Sequence, residues 1–340
     1  MDSFHTLSSL QASVQTMSHF SLAVAALSAL RVRRKHPIAR DIVRFELAHP
    51  QGQDLPDWSA GAHIRLETPS GHTRSYSLCG PVGTRDHWAI AVKREAHGRG
   101  GSRSMADDVN EGDELPLRGG DNMFPIDPQA QQHILIAGGI GLTPLYAMAQ
   151  TLAQTPTARF HLYVCSRDAE GTAFLSDLLQ APWHGHVTLH HDAGNPDQSL
   201  DLWPVLETPS DAHVYCCGPQ GLMDSVRDMS GHWPTHQIHF ESFGASQQGW
   251  ADNQAFEVVL RRSGKRLTIP ADRSILECLR SAGLKVTSSC ESGTCGSCKP
   301  GLLAGAVEHR DLVLLPEEQD HHVMPCVSRS RDGGVLELDL

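Results

Sequence analysis

The chain has 340 residues, more than one ordinary domain needs and enough for two or three. Apolar residues at 40% and charged residues at 20% are the proportions of a soluble globular protein, and a net charge of −11 disfavours nucleic acid and anionic membrane surfaces as partners. The nine cysteines are not spaced as a secreted disulfide framework, so a reducing cytosol is the expected compartment.

Residues 1–29 are almost uncharged, rich in Ser and Ala, and end in the apolar run HFSLAVAALSAL. No basic n-region precedes that run, which excludes a signal peptide, and twelve residues are too few to span a bilayer. The expectation is a disordered or weakly helical extension, with Met17 as an alternative start. From Leu30 short runs alternate β-branched and aromatic residues against charge, among them LRVRRKHPI, IVRFELAHP, AHIRLETPS, TRSYSLCG and HWAIAVKRE. Each is bounded by Gly, Pro, Asp or Asn, and this spacing predicts an antiparallel β-barrel or sandwich over 30–127.

The pattern changes near Gln132. HILIAGGIGLTPLYAMAQTLAQ reads as a buried strand, a glycine turn and a helix with Pro144 in its first turn. RFHLYVCSRD, HVTLHHDA, AHVYCCGP and QIHFESF are further strands with helical patterns between them, so 128–243 is expected to be a doubly wound, parallel α/β unit. GASQQGWADNQ, over 244–254, reads as a linker. The last unit, 255–340, opens with a hairpin turning at Ser263–Gly264. It continues with the amphipathic helix SILECLRSAG and closes with LVLLP and GVLELDL.

Several segments carry chemistry. In the strand Arg74-Ser75-Tyr76-Ser77-Leu78, alternate residues share a side: Arg suits a phosphate, Tyr a flat ring and Ser a heteroatom edge. An exposed strand with a charged end is the competing reading. Lys93 precedes Gly98-Arg99-Gly100-Gly101-Ser102, a loop able to form a backbone nest for an anion or to be a plain surface turn. Gly138-Gly139-Ile140-Gly141-Leu142-Thr143-Pro144 lies where a strand feeds a helix and suits a pyrophosphate. Pro144 occupies the third glycine position of the dinucleotide fingerprint, so an unliganded crossover turn competes. Cys217-Gly218-Pro219 ends another strand at the same edge of a parallel sheet. Asp168 is suited to ribose hydroxyls and to repelling a 2′-phosphate, which favours NADH, whereas neighbouring Arg167 argues for NADPH.

Near the C-terminus Cys290, Cys295 and Cys298 are spaced C-x4-C-x2-C, and Cys326 follows after 27 intervening residues. That is the plant-type ligand pattern for a [2Fe–2S] cluster, and a zinc site would pair two CxxC knuckles instead. Gly293 and Gly296 permit a tight loop whose N–H groups turn toward sulfur. The pairs His190-His191 and His321-His322 lack a metal-binding frame. Cys79, Cys165 and Cys278 read as core residues.

With RSYSL, GRGGS, GGIGLTP, CCGP, HFESF and CESGTCGSC in that order, the chain resembles the phthalate dioxygenase reductase family, which includes the reductases of vanillate demethylase and other Rieske-type oxygenases. The resemblance runs from about Leu30 to Leu340 and leaves the N-terminal extension unexplained. It implies an FMN-binding barrel, an NAD domain and a β-grasp ferredoxin domain in one monomeric, cytoplasmic protein. NADH would pass a hydride to FMN, and single electrons would reach the [2Fe–2S] cluster and then a Rieske-type terminal oxygenase or O-demethylase component. Arg74 and the loop ending at Ser102 would hold the FMN phosphate, and Tyr76 and Ser77 the isoalloxazine. The turn from Gly139 to Pro144 and the pair Cys217–Gly218 would place the nicotinamide. Phe243, with Phe240 second, would cover the flavin. Two other readings stay open: an FAD-containing reductase of an epoxidase or hybrid-cluster system, and a non-enzymatic redox carrier.

Overall fold

The computed structural model describes residues 19–96, 100–243, 253–288, 293, 294 and 296–340. Helix α1 (His19–Ala25) leads into six strands: β1 (Ala29–Ala39), β2 (Ile42–Ala48), β3 (Ala62–Glu67), β4 (Thr73–Ser77), β5 (Trp88–Lys93) and, after helix α2 (Gly101–Asp108), β6 (Glu114–Asn122). Their antiparallel sheet has the order β4-β3-β6-β1-β2-β5. The two outer strands approach one another where Cys79 N donates to Ala89 O at 2.9 Å. The alternation read in the sequence is what the strands use: Leu30 and Val32 of β1 are buried while Arg31 and Arg33 face solvent.

The last third of the expected extension contains helix α1. Phe20 and Val24, one helical turn apart, are buried in the core of the first sheet, and the Phe20 ring lies 5.7 Å from that of Trp88. Ser21 Oγ donates to Asp121 Oδ1 at 2.8 Å. An uncharged apolar run is therefore a docked helix because the first sheet supplies it with a hydrophobic seat.

The second unit is a five-stranded parallel sheet, order β11-β10-β7-β8-β9. It contains β7 (Gln132–Gly138), α3 (Leu142–Ala153), β8 (Arg159–Ser166), α4 (Leu175–Gln180), β9 (Val187–His191), α5 (Trp203–Leu206), β10 (Ala212–Cys217), α6 (Gln220–Met229) and β11 (Ile238–Glu241). One hydrophobic cluster runs from the first sheet into α3 and β7, so these two units share a core. Arg40, at the β1–β2 turn, pairs with Asp168 and Glu170 across the same junction.

The third unit holds β12 (Phe256–Leu260), β13 (Arg266–Ile269), α7 (Ile275–Ser281), β14 (Leu302–Ala304), β15 (Val307–Glu308), α8 (Pro316–Gln319), β16 (Arg329–Ser330) and β17 (Leu336–Leu338). The sheet order β13-β12-β17-β14, with β12 and β17 parallel, is that of a β-grasp. Helix α7 starts at a capping box: Ser274 Oγ accepts from Glu277 N, and Glu277 accepts from Ser274 N. LVLLP forms no strand: Leu314 is buried beside Cys298 and Cys326, and Leu312 packs against the core of the second unit. The expected linker lies outside the described residues except for its last two positions.

Candidate functional site

Strand β4 brings its residues to the junction with the second unit. Tyr76 is 9% exposed, and its buried hydroxyl has no hydrogen-bond partner among the described residues. Burial holds its phenol well above the usual tyrosine range, so the group is a neutral donor awaiting an acceptor. Arg74 lies against the first residue of α2: a Cβ at Gly101 would meet Arg74 Nε at 3.1 Å. A guanidinium at a helix N-terminus is a pairing suited to a phosphate. Ser75 is exposed on the same strand. Ser102 Oγ accepts from Glu95 N at 3.1 Å, and Lys93 is ion-paired with Glu95 at 2.9 Å. Gly100 is the α2 N-cap, whereas the neighbouring Gly98 and Arg99 lie outside the described residues.

The two strand ends of the parallel sheet meet by backbone contact. A Cβ at Gly141 would stand 2.2 Å from Cys217 O, and one at Gly138 would stand 2.6 Å from Pro219 Cδ. Only residues without side chains allow this closeness, which places the turn Gly139–Gly141 beside Cys217–Gly218–Pro219. Thr143 is buried and its hydroxyl donates to Ile140 O at 3.0 Å, bracing the turn, while Pro144 sits buried in the first turn of α3. Asp168 is already engaged on both oxygens. Oδ1 accepts from Gly171 N at 2.8 Å and Oδ2 pairs with Arg40, whose guanidinium holds the carboxyl below its ordinary range. Asp168, expected to accept from ribose hydroxyls, thus shares its charge with the first unit.

Glu241, the last residue of β11, was not singled out in the sequence. It is 8% exposed and accepts a hydrogen bond from Ser77 Oγ at 3.4 Å, joining residues 164 positions apart. Burial first, then Glu241, pushes the Cys217 thiol far up, so it stays protonated and acts as an uncharged wall. Ser77, Cys217 and Glu241 thereby form one buried corner between the units. Phe243, two residues on, is 46% exposed, whereas Phe240 packs against the core behind the sheet.

In the third unit the sulfurs of Cys298 and Cys326 lie 3.4 Å apart, both buried and not disulfide-bonded. Tetrahedral ligation with thiolate–metal bonds of ~2.3 Å sets two sulfurs about 3.8 Å apart, so these two fit a shared iron. Cys290 and Cys295 lie outside the described residues. Gly293 has φ +79°, and a Cβ there would meet Val327 Cγ2 at 2.7 Å and Asp311 Cα at 3.1 Å, so this position has room only for glycine. Asp311, a second residue missed in the sequence, accepts from Leu314 N at 2.8 Å and Val313 N at 3.2 Å. Leu312 N in turn donates to Gly293 O at 2.9 Å. These residues fit the groups the motifs imply: an orphaned hydroxyl and an arginine-capped helix for a phosphorylated flavin, a glycine cradle for a dinucleotide, and paired thiols for a cluster.

Comparison with known proteins agrees with this division. Residues 258–331 match the 2Fe-2S iron-sulfur cluster binding domain family, and residues 135–228 the oxidoreductase NAD-binding domain family. The phthalate 4,5-dioxygenase oxygenase reductase subunit of Pseudomonas putida is 53% identical over 92% of this chain and 97% of its own. Phthalate dioxygenase reductase of Burkholderia cepacia is 50% identical over the same shares. A solved phthalate dioxygenase reductase, described as a modular structure for electron transfer from pyridine nucleotides to [2Fe-2S], superposes with a TM-score of 0.78 at 50% identity. It covers 92% of this chain and 97% of that one.

Proposed function

Because the chain belongs to the phthalate dioxygenase reductase family, we propose that it oxidises NADH and delivers the electrons singly to an oxygenase. Its three stations are an FMN unit over 30–127, an NAD unit over 128–243 and a [2Fe–2S] unit over 255–340, the last entered through the linker 244–254. Its partner is a Rieske-type oxygenase or O-demethylase component, and the working form is a monomer in the cytoplasm, bound to neither membrane nor nucleic acid. Among the described residues no helix is long and apolar enough to cross a membrane. The observation that carries the reading is the buried corner where Ser77 of the first unit meets Glu241 and Cys217 of the second.

A bound flavin would supply two-electron hydride chemistry, and a bound [2Fe–2S] cluster would supply one-electron chemistry. The protein's work is placement. Arg74, Gly100, Gly101 and Ser102 hold the phosphate end, and Tyr76 supplies a ring and an unspent hydroxyl. Ser77 commits its proton to Glu241, which leaves its oxygen lone pairs for a ring N–H. Gly139, Gly141, Thr143, Pro144, Gly218 and Pro219 shape the pyrophosphate and nicotinamide seat, with Cys217 as its inner wall. Phe243 covers the flavin face and yields to nicotinamide, and its exposure gives it that freedom. Cys290, Cys295, Cys298 and Cys326 ligate the cluster.

The test is a pair of assays on the purified protein: release of FMN on denaturation, and NADH-dependent reduction of cytochrome c. Release of FAD, or absence of cytochrome c reduction with all four cysteines present, overturns the reading.

A further inference from the structure

The third unit has cores of its own, and one side chain leaves them for a neighbouring unit. Phe256, Val258 and Leu260 belong to one apolar core and Leu314, Cys298 and Cys326 to another, both made only of residues from Phe256 onward. Among the described residues, only the core behind the parallel sheet brings the third unit together with another. Its members lie between Ile134 and Phe240, with Leu312 packed against them. An interface this small does not by itself fix how two domains sit, so the residue that makes it matters.

Leu312 is committed in two directions. Its backbone N–H donates to Gly293 O at 2.9 Å, in the segment between Cys290 and Cys295. The residues around it are held as well. Asp311 Oδ2 accepts from Val313 N at 3.2 Å and from Leu314 N at 2.8 Å, and Leu314 is buried in the core that contains Cys298 and Cys326. The Leu312 side chain instead packs against the core that contains Cys216 and Phe240. Those two residues pair across β10 and β11. The next pair along, Cys217 and Glu241, points to the opposite face, where Glu241 meets Ser77. Leu312 therefore joins the cysteine loop to the back of the two strands that carry the buried corner.

We propose that Leu312 is a positioning residue for the electron step between flavin and cluster, an inference that rests on the electron path proposed above. Its side chain docks the cysteine loop on the second unit. In that arrangement the reduced flavin loses one electron and the cluster gains it. An apolar contact suits the task because it places the loop without adding charge beside either centre.

The test uses the intact protein, loaded with FMN and cluster, as Leu312→Ser, with Leu312→Met as the conservative variant and Leu303→Ser, at an exposed leucine of β14, as the control. Iron analysis and visible spectra confirm that each is loaded and folded. In anaerobic stopped flow with NADH, flavin bleaching should be unchanged. Cluster reduction should be at least about tenfold slower in Leu312→Ser and restored in Leu312→Met. The cluster's midpoint potential should stay constant, which a role confined to shaping the cysteine loop would not give. Small-angle X-ray scattering, which needs no electron flow, should show a larger radius of gyration in Leu312→Ser than in Leu303→Ser or the unaltered protein. Unchanged scattering, an unslowed cluster phase or a shifted potential overturns the proposal. If NADH bleaches the flavin in none of the proteins, the electron path fails and takes the proposal with it, and scattering still shows whether Leu312 docks the unit.

Discussion

The corner of the second unit where the glycine turn meets the end of β10 and the cluster loop of the third unit are built by opposite means. At this corner, close approach depends on side chains that are missing: Gly141 admits Cys217 O to where its own Cβ would be, and Gly138 does the same for Pro219. At the cluster loop, the proposed site depends on side chains that are present at fixed spacing, the four cysteines. A site made of proximity has many sequence solutions, whereas a site made of ligands has few. The two should therefore fail differently when altered.

The largest expected effect is at the loop. Cys298→Ser removes one of two sulfurs 3.4 Å apart, and loss of a ligand should exceed the ~10–100-fold penalty of outer-shell changes. Cytochrome c reduction is expected to fall by at least about 100-fold while NADH still bleaches the flavin, both followed by absorbance. If both activities fall together, the stations are not separable. Next is Gly141→Ala at the corner, which must push two backbones apart. It should slow flavin reduction by roughly 100-fold through misplacement, with cluster content unchanged by iron analysis. Gly221→Ala, in α6 with nothing within 4 Å of the added carbon, is the contrasting control and should raise stability by about 0.5–1 kcal/mol in thermal melts.

Glu241→Gln sharpens the comparison further. It keeps the shape of the Ser77 contact and removes the charge, so stopped-flow flavin reduction should slow by about tenfold with the KM for NADH little changed. A large KM change with kcat intact would make Glu241 a binding group instead. A separate effect, on stability rather than on rate, concerns the opposite edge of the parallel sheet. His239 is pushed down to about 4 by burial and by neighbouring His213, and burial lowers His133 too. Both stay neutral in the folded protein but gain protons near pH 6.5 when unfolded. Their contribution is complete above that pH and is lost as pH falls toward 4, up to about 3 kcal/mol for His239. Thermal melts between pH 7 and 4.5 should show this loss, and His239→Gln should flatten it.

What the sequence disclosed follows the same division. The 2Fe-2S domain was legible because ligation demands one residue type at close spacing, and the parallel sheet was legible because its inner strands, ILIAG and AHVYCC, are nearly continuous apolar runs. Glu241 was not, because it is one acid in HFESF and acquires meaning only through Ser77, 164 positions away. Asp311 was hidden likewise, since its carboxylate serves backbone N–H groups and no spacing marks that. Asp168 was read by position alone, and the Arg40 that shares its charge comes from another unit. The docked α1 carried a weak signal in Phe20 and Val24, four apart, but its partner surface is made by distant strands.

The most direct measurement is an anaerobic titration of the purified protein with NADH, following flavin absorbance and the cluster's electron paramagnetic resonance in the same samples. Flavin bleaching accompanied by the signal of a reduced [2Fe–2S] cluster is the predicted result. A bleached flavin beside a cluster that stays oxidised, or no response of the flavin to NADH, would contradict it.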